Sequence, residues 1–168
     1  MTQGAHNATI LRENPFWDYS LSVYQQDQCD EFLLEAQNRY ALDINVLLFI
    51  GWLAHQQQAF IDVEPFHPQV IRFQQETITK IRYLRIRTKR FNNPEFYNAI
   101  KALELYAENI EQNRLYALTE RMPVSQLDFA QLIKNGVLGY LKQINRDNAF
   151  IQEGNWLQTL IEYLQPEA

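Results

Sequence analysis

Cys29 is the single cysteine in 168 residues, so neither an intramolecular disulfide nor a Cys-x-x-Cys metal pair can form. Glycine and proline are also scarce, at five and six, which argues against a turn-rich β architecture and for helices with short connections. The longest apolar run, Val46 to Ala54, holds nine residues, whereas a bilayer-spanning helix needs about 20. Histidine occurs three times, as His6, His55 and His67, and none lies in a His-Glu-x-x-His helix. A Gly-x-Ser-x-Gly elbow, a phosphate loop and a dinucleotide fingerprint are all missing. No repeat of about 30 to 45 residues marks a solenoid. The opening stretch MTQGAHNATILREN has neither a basic leader nor an apolar segment, so the expected compartment is a reducing cytoplasm.

What is present reads as helix. Hydrophobic residues make up 46% and charged residues 21%, the balance of a globular chain long enough to bury a core in one domain. Punctuation divides it into about seven helices. Asn14-Pro15 is a start, with asparagine as cap and proline in the first turn; the helix runs to about 25, with Phe16, Tyr19, Leu21, Val23 and Tyr24 as candidate core contacts. Asp27 is the expected cap of a second, in which Cys29, Phe32, Leu33 and Ala36 recur at helical spacing. The apolar run forms a third, from 44 to about 60, with Asp43 and Asn45 capping its start. Apolar on every side, it belongs in the middle of a bundle. A fourth runs from 68 to about 90 and a fifth from 94 to about 121, separated by Asn92-Asn93-Pro94. Ser125 with Asp128 resembles a capping box opening the sixth, and Trp156, Leu157, Leu160, Ile161 and Leu164 mark the apolar side of the seventh. The expectation is an all-α, single-domain helical bundle over 14–165, built around a long antiparallel hairpin of helices four and five, with residues 1–13 as a flexible N-terminal tail.

The stretch FWDYSLSVYQQDQCDEFLLEAQNRYALDINVLLFIGWLA, Phe16 to Ala54, resembles the start of a family of uncharacterised proteobacterial proteins, domain of unknown function 2390. Its members share an opening Phe-Trp, a Leu-Gln-Asp-like helix end, a Gly-Leu-Asp-Val-Asn-Leu-Leu-Leu-Phe-like run and Trp-Leu-Ala. Here these fall on Phe16-Trp17, on Glu35 to Asn38, on Ala41 to Phe49 and on Trp52 to Ala54. The sequence departs at Ala41 and Ile44, where the pattern favours glycine and valine. LRIRTKRF and ALELYAEN resemble later segments of the family. The resemblance implies an α-helical domain of bacterial origin with no established activity, and it carries over no catalytic residue.

Charge is segregated. KIRYLRIRTKR, Lys80 to Arg90, holds six of the fifteen basic residues and no acid, which leaves nine basic against twenty acidic residues elsewhere. At 100° per residue, Phe73, Thr77, Ile81, Leu84, Thr88 and Phe91 share one side of this helix, flanked by Arg82, Arg85 and Lys89 on one edge and by Lys80 and Arg87 on the other. One reading is structural: Glu104, Glu108 and Glu111 form a carboxylate stripe on helix five that could pair with the arginines. The reading preferred for function is an interaction module in which Arg82, Arg85, Arg87, Lys89 and Arg90 contact an acidic protein or a phosphate-bearing partner. Nucleic acid is less favoured, because a net charge of −5 opposes it. A homodimer through an exposed apolar face stays open, and no membrane contact or cofactor is expected.

Enzyme readings are weaker. Asp62, Glu64 and His67 lie close in sequence and form a candidate metal set of low specificity. Asp27, Asp30 and Glu31, or Glu104 with Glu108, could imitate the carboxylates of a diphosphate-dependent helical enzyme, without the Asp-Asp-x-x-Asp density that chemistry uses. Phe16, Trp17, Trp52 and Trp156 are expected in the core rather than around a ligand.

Overall fold

The structure, a computed structural model, describes residues 11–165. Most of the expected tail, His6 included, and the last three residues lie outside the described residues. Arg12 is tied down: its backbone N–H donates to Asn109 Oδ1 and its carbonyl accepts from Asn109 Nδ2, both at 2.9 Å.

Eight α-helices are present among the described residues: α1 Pro15–Tyr24, α2 Cys29–Tyr40, α3 Ile44–His55, α4 Thr79–Thr88, α5 Pro94–Leu118, α6 Phe129–Gln143, α7 Ala149–Gln152 and α8 Trp156–Leu164. Two π-helical turns, His67–Ile71 and Gln74–Ile78, lead without a break into α4, and a 3-10 turn, Lys89–Phe91, ends it. No strand forms among these residues; 57–59 and 123–125 run alongside each other through one isolated bridge, Gln58 to Val124. None of the described helices is long and apolar enough to cross a membrane.

Local chemistry sets several boundaries. Asn14 accepts from the Trp17 N–H at 2.8 Å and Asn93 from the Phe96 N–H at 3.1 Å, each followed by proline in the first turn. Asp43 caps α3 by accepting from the Asn45 N–H at 2.9 Å. Nine of the twelve residues of α3 are buried, and it touches α1, α2, α5, α6 and α8, so the apolar run is the axle of the bundle. Gly51 lets Tyr19 and Leu164 press against this axle, since a Cβ there would collide with both. Phe49 meets Phe16 at 5.6 Å and Phe60 at 6.5 Å between ring centroids, and each fully buried ring of this kind stabilises the fold by about 1.5–3 kcal/mol.

Other boundaries move. Asp27 does not cap α2; Gln28, in the left-handed region at φ 60°, holds that position with no side-chain bond. α3 stops at His55 rather than near Phe60, because Gln58 turns into the bridge and its side chain donates to the carbonyls of Thr119 and Met122. The capping box of α6 is Asp128 with Gln131, not Ser125 with Asp128; Ser125 Oγ accepts from Leu127 instead. α7 is a short turn with no counterpart in the sequence reading. In α1, Leu21 and Tyr24 are exposed, while Ser20 takes a buried position.

Ala41 stands where the backbone favours glycine. It ends α2 at φ 55°, a conformation in which a Cβ costs about 1–2 kcal/mol and glycine is at ease. Ala41→Gly is therefore expected to raise stability by about 0.5–1 kcal/mol after the larger chain entropy of glycine is subtracted. A urea midpoint that stays put or falls would show that the backbone strain is absorbed elsewhere.

Candidate functional site

The hairpin of α4 and α5 reaches beyond the bundle. Between 79 and 103 only Thr88 is buried, whereas α5 from Glu104 onwards buries Glu104, Ala107, Asn109, Glu111, Gln112, Leu115 and Leu118. The projecting part carries seven of the fifteen basic residues and a single acid, Glu95. It also exposes large apolar groups: Phe91 is 67% exposed, Tyr83 60% and Ile86 54%.

The inner face of α4 keeps only part of the apolar stripe that uniform helical spacing assigns to it, with Ile81 half-buried and Thr88 buried. Leu84 and Phe91 point to solvent, and Arg82 and Arg85 lie inward between Ile78 and Thr88. The two π turns upstream each bond i to i+5, as Arg72 N–H to the His67 carbonyl and Thr79 N–H to the Gln74 carbonyl. Each turn rotates the following residues relative to a regular helix, yet Phe73, Thr77, Ile81 and Thr88 of the stripe remain half-buried or buried. Opposite the arginines stands Glu104, buried at 6% exposure. Its Oε1 accepts from Arg82 Nε at 2.9 Å, and its Oε2 accepts from Arg85 Nε. Arg82 Nη2 also donates to Glu108 at 3.1 Å, and Arg85 Nη1 to the Tyr97 hydroxyl at 3.3 Å. The bond from Glu104 holds the Arg85 pKa above its ordinary value, and the bond from Arg85 holds that of Tyr97 below its own.

Two of the five basic candidates are thus engaged at the root of the hairpin, and three face outward. Arg87 donates to its neighbour Tyr83 at 2.7 Å, Lys89 sits 5.8 Å above the Tyr97 ring, and Arg90 makes no ion pair among the described residues. Glu111, placed in the same carboxylate stripe by sequence, does not meet an arginine. It is buried at 1% exposure and accepts from Asn45 Nδ2 at 2.8 Å. That contact also corrects the reading of Asn45, whose side chain bridges Glu111 and Gln112 rather than capping α3. Helical spacing put the three glutamates on one face, but only the packing of α3 against α5 decides which of them sees an arginine.

The residues that sequence reasoning passed over lie beside this root. Asp43 and Glu111 are both buried at the α3–α5 contact, bridged by Asn45, whose backbone N–H donates to Asp43 and whose side chain donates to Glu111. Burial raises the pKa of both, and the neighbouring Asp43 charge raises Glu111 further. Among the described residues, Asp43 Oδ2 and Glu111 Oε1, both without accessible surface, have no hydrogen-bond donor. Their separation of 68 positions in sequence hides the pair from any local pattern.

The other candidates do not assemble. Asp62, Glu64 and His67 are exposed, and among the described residues no group of three or more His, Cys, Asp or Glu is arranged to hold a metal ion. Asp30 and Glu31 sit in the first turn of α2, where carboxylates favour the helix dipole. Cys29 is buried, and loss of hydration pushes its thiol up to about 11, so it packs as a small apolar group. Phe16, Trp52 and Trp156 pack among other rings, whereas Trp17 lines a cavity next to Asp43.

Residues 15–115 match the model of a family described as Protein of unknown function (DUF2390), and the chain belongs to that family. No curated protein and no solved structure matches it.

Proposed function

We propose that this DUF2390 protein is an interaction module whose projecting hairpin docks onto an acidic protein. The observation that carries the reading is the composition of the arm: exposed Tyr83, Ile86 and Phe91 lie among Arg87, Lys89 and Arg90 on a segment with one acid. Mixed apolar and cationic surface fits a protein partner, in which aromatic and aliphatic anchors are buried and charge sets orientation and encounter rate. A bare polyanion would use the charges and leave the rings in water. The rest of the chain has eight basic against nineteen acidic residues and repels polyanions beyond the arm. Because Arg82 and Arg85 are held by Glu104, partner contact falls to Arg87, Lys89 and Arg90, with Lys80 and Lys101 at the margin.

The test places a photo-crosslinking residue at Ile86 and, as a control, at the exposed Leu34 of α2. An acidic protein should be trapped from 86 and not from 34. The identified partner, purified, should then lose at least tenfold in affinity for the variant Arg87→Glu/Lys89→Glu/Arg90→Glu, with the melting temperature unchanged. Trapping of nucleic acid alone, or undiminished binding by the triple variant, would overturn the proposal.

A further inference from the structure

The basic arm has a counterpart in its own chain. From Glu13 to Asn38 there are six acidic residues and no basic one, and all six are exposed. Asp18 sits on α1, Asp27 in the turn after it and Asp30 in the first turn of α2. Glu35 is paired with Arg39, whereas Glu13, Asp18, Asp27, Asp30 and Glu31 make no ion pair among the described residues. On the arm, Glu104 and Glu108 hold Arg82 and Arg85, which leaves Lys80, Arg87, Lys89, Arg90 and Lys101, again with no ion pair among the described residues. Five cations on one surface stand against five anions on another.

Apolar groups accompany the charge on both surfaces. α1 exposes Leu21 and Tyr24 between Asp18 and Asp27, as the arm exposes Tyr83, Ile86 and Phe91 among its cations. Leu21, Tyr24 and half-buried Trp17 line a notch of about 290 Å³, and the root of the arm supplies its other wall through Arg82 and Leu105. The arm therefore leaves the bundle beside the acidic face. It does not fold back onto that face: Arg90 lies eight residues past Arg82, about 12 Å further along the helix at the usual rise, on a hairpin fixed at its root by Glu104.

We infer that the acidic protein engaged by the arm is a second copy of this chain, in a two-fold dimer in which each arm lies across α1 of the other copy. The inference rests on the reading of the arm as a docking element and names its partner. Arm and acidic face adjoin on each copy, so one two-fold axis makes both contacts at once, and the assembly closes at two instead of growing into a filament. Docking brings Arg87, Lys89 and Arg90 to Asp18, Asp27 and Asp30 and seats Ile86 against Leu21 and Tyr24. Packing arm on arm is the poorer arrangement, since it sets like charge against like. The charged groups stay at the wet rim of the contact, which makes the dimer reversible and sensitive to salt.

Sedimentation equilibrium of the full chain at about 50 mM and about 500 mM salt tests this. The expected result is a dimer at low salt whose dissociation constant rises at least tenfold at high salt. Arg87→Glu/Lys89→Glu/Arg90→Glu and Asp18→Lys/Asp27→Lys/Asp30→Lys should each weaken self-association at least tenfold. An equal mixture of the two variants should give a mixed dimer, because both contacts then pair opposite charges again. A photo-crosslinking residue at Leu21 should trap residues 80–93 of a second copy. A wild type that stays monomeric up to millimolar concentration at low salt overturns the inference. So does a dimer indifferent to salt or to either charge reversal, or a mixture that stays monomeric although both variants fold. Where a variant does not fold, the crosslink decides, and capture of any segment other than the arm counts against the assignment. The reading of the arm itself fails separately, when Ile86 traps no acidic protein of any kind.

Discussion

Glu104→Ala is expected to destabilise the protein by about 3 kcal/mol or more, because it leaves two guanidinium groups without their shared carboxylate. The side chains of Arg82 and Arg85 are 18% and 22% exposed, which puts the expected loss near the lower end of what removing one partner of a buried pair causes. Arg82 retains Glu108 at 3.1 Å and Arg85 retains Tyr97 at 3.3 Å, both longer than the Arg82–Glu104 bond at 2.9 Å. The combined variant Arg82→Met/Arg85→Met/Glu104→Leu should recover most of the loss, since apolar groups of similar size remove the desolvation penalty along with the attraction. Urea unfolding of the single and combined variants decides the matter. A loss for Glu104→Ala below about 1 kcal/mol would place the network in water, with the value of an ordinary surface pair.

The second large effect is on pH dependence. Wild-type stability is expected to fall from pH 5 to pH 8, which is the reverse of acid unfolding by salt-bridged carboxylates. The sign follows from the buried acids: Asp43, Glu108 and Glu111 all hold their protons to higher pH in the folded protein, through loss of hydration first. The unfolded chain releases these protons near the usual carboxylate range, so the contribution is complete below about pH 4. It is lost as pH rises through the folded values, at up to about 1.4 kcal/mol per pH unit for each proton retained. Glu111→Gln removes the strongest of these groups and offers an N–H to Asp43 Oδ2. The variant should show a flatter profile and exceed the wild type in melting temperature at pH 8. Parallel profiles for the two proteins would mean that Asp43 and Glu111 are both ionised in the folded state.

These expectations rest on contacts of very different visibility. The starts of α1 and α5 could be read directly, because Asn14-Pro15 and Asn93-Pro94 form caps from residues two or three positions apart. Asp43 was legible for the same reason. The end of α3 was not, since Gln58 leaves the helix for bonds to Thr119 and Met122 that no local pattern announces. The inner face of α4 was legible in part: Ile81 and Thr88 lie on it, but Arg82 and Arg85 share it because Glu104 stands opposite. At Asp27 a good capping residue stands one position too early, and Gln28 takes the turn in its place.

By itself the sequence determined most of the helices, the start of the buried axle at Ile44 and the concentration of positive charge in one segment, because composition, capping and apolar spacing act within a few residues. The tertiary structure decided how that charge is divided: Glu104 takes Arg82 and Arg85, while Arg87, Lys89 and Arg90 remain on the projecting arm. It alone brought Asp43 and Glu111 to the same Asn45. Ion pairs and buried hydrogen bonds depend on distances of a few ångströms between helices far apart in the chain, and those distances are fixed only once α3, α4 and α5 are packed.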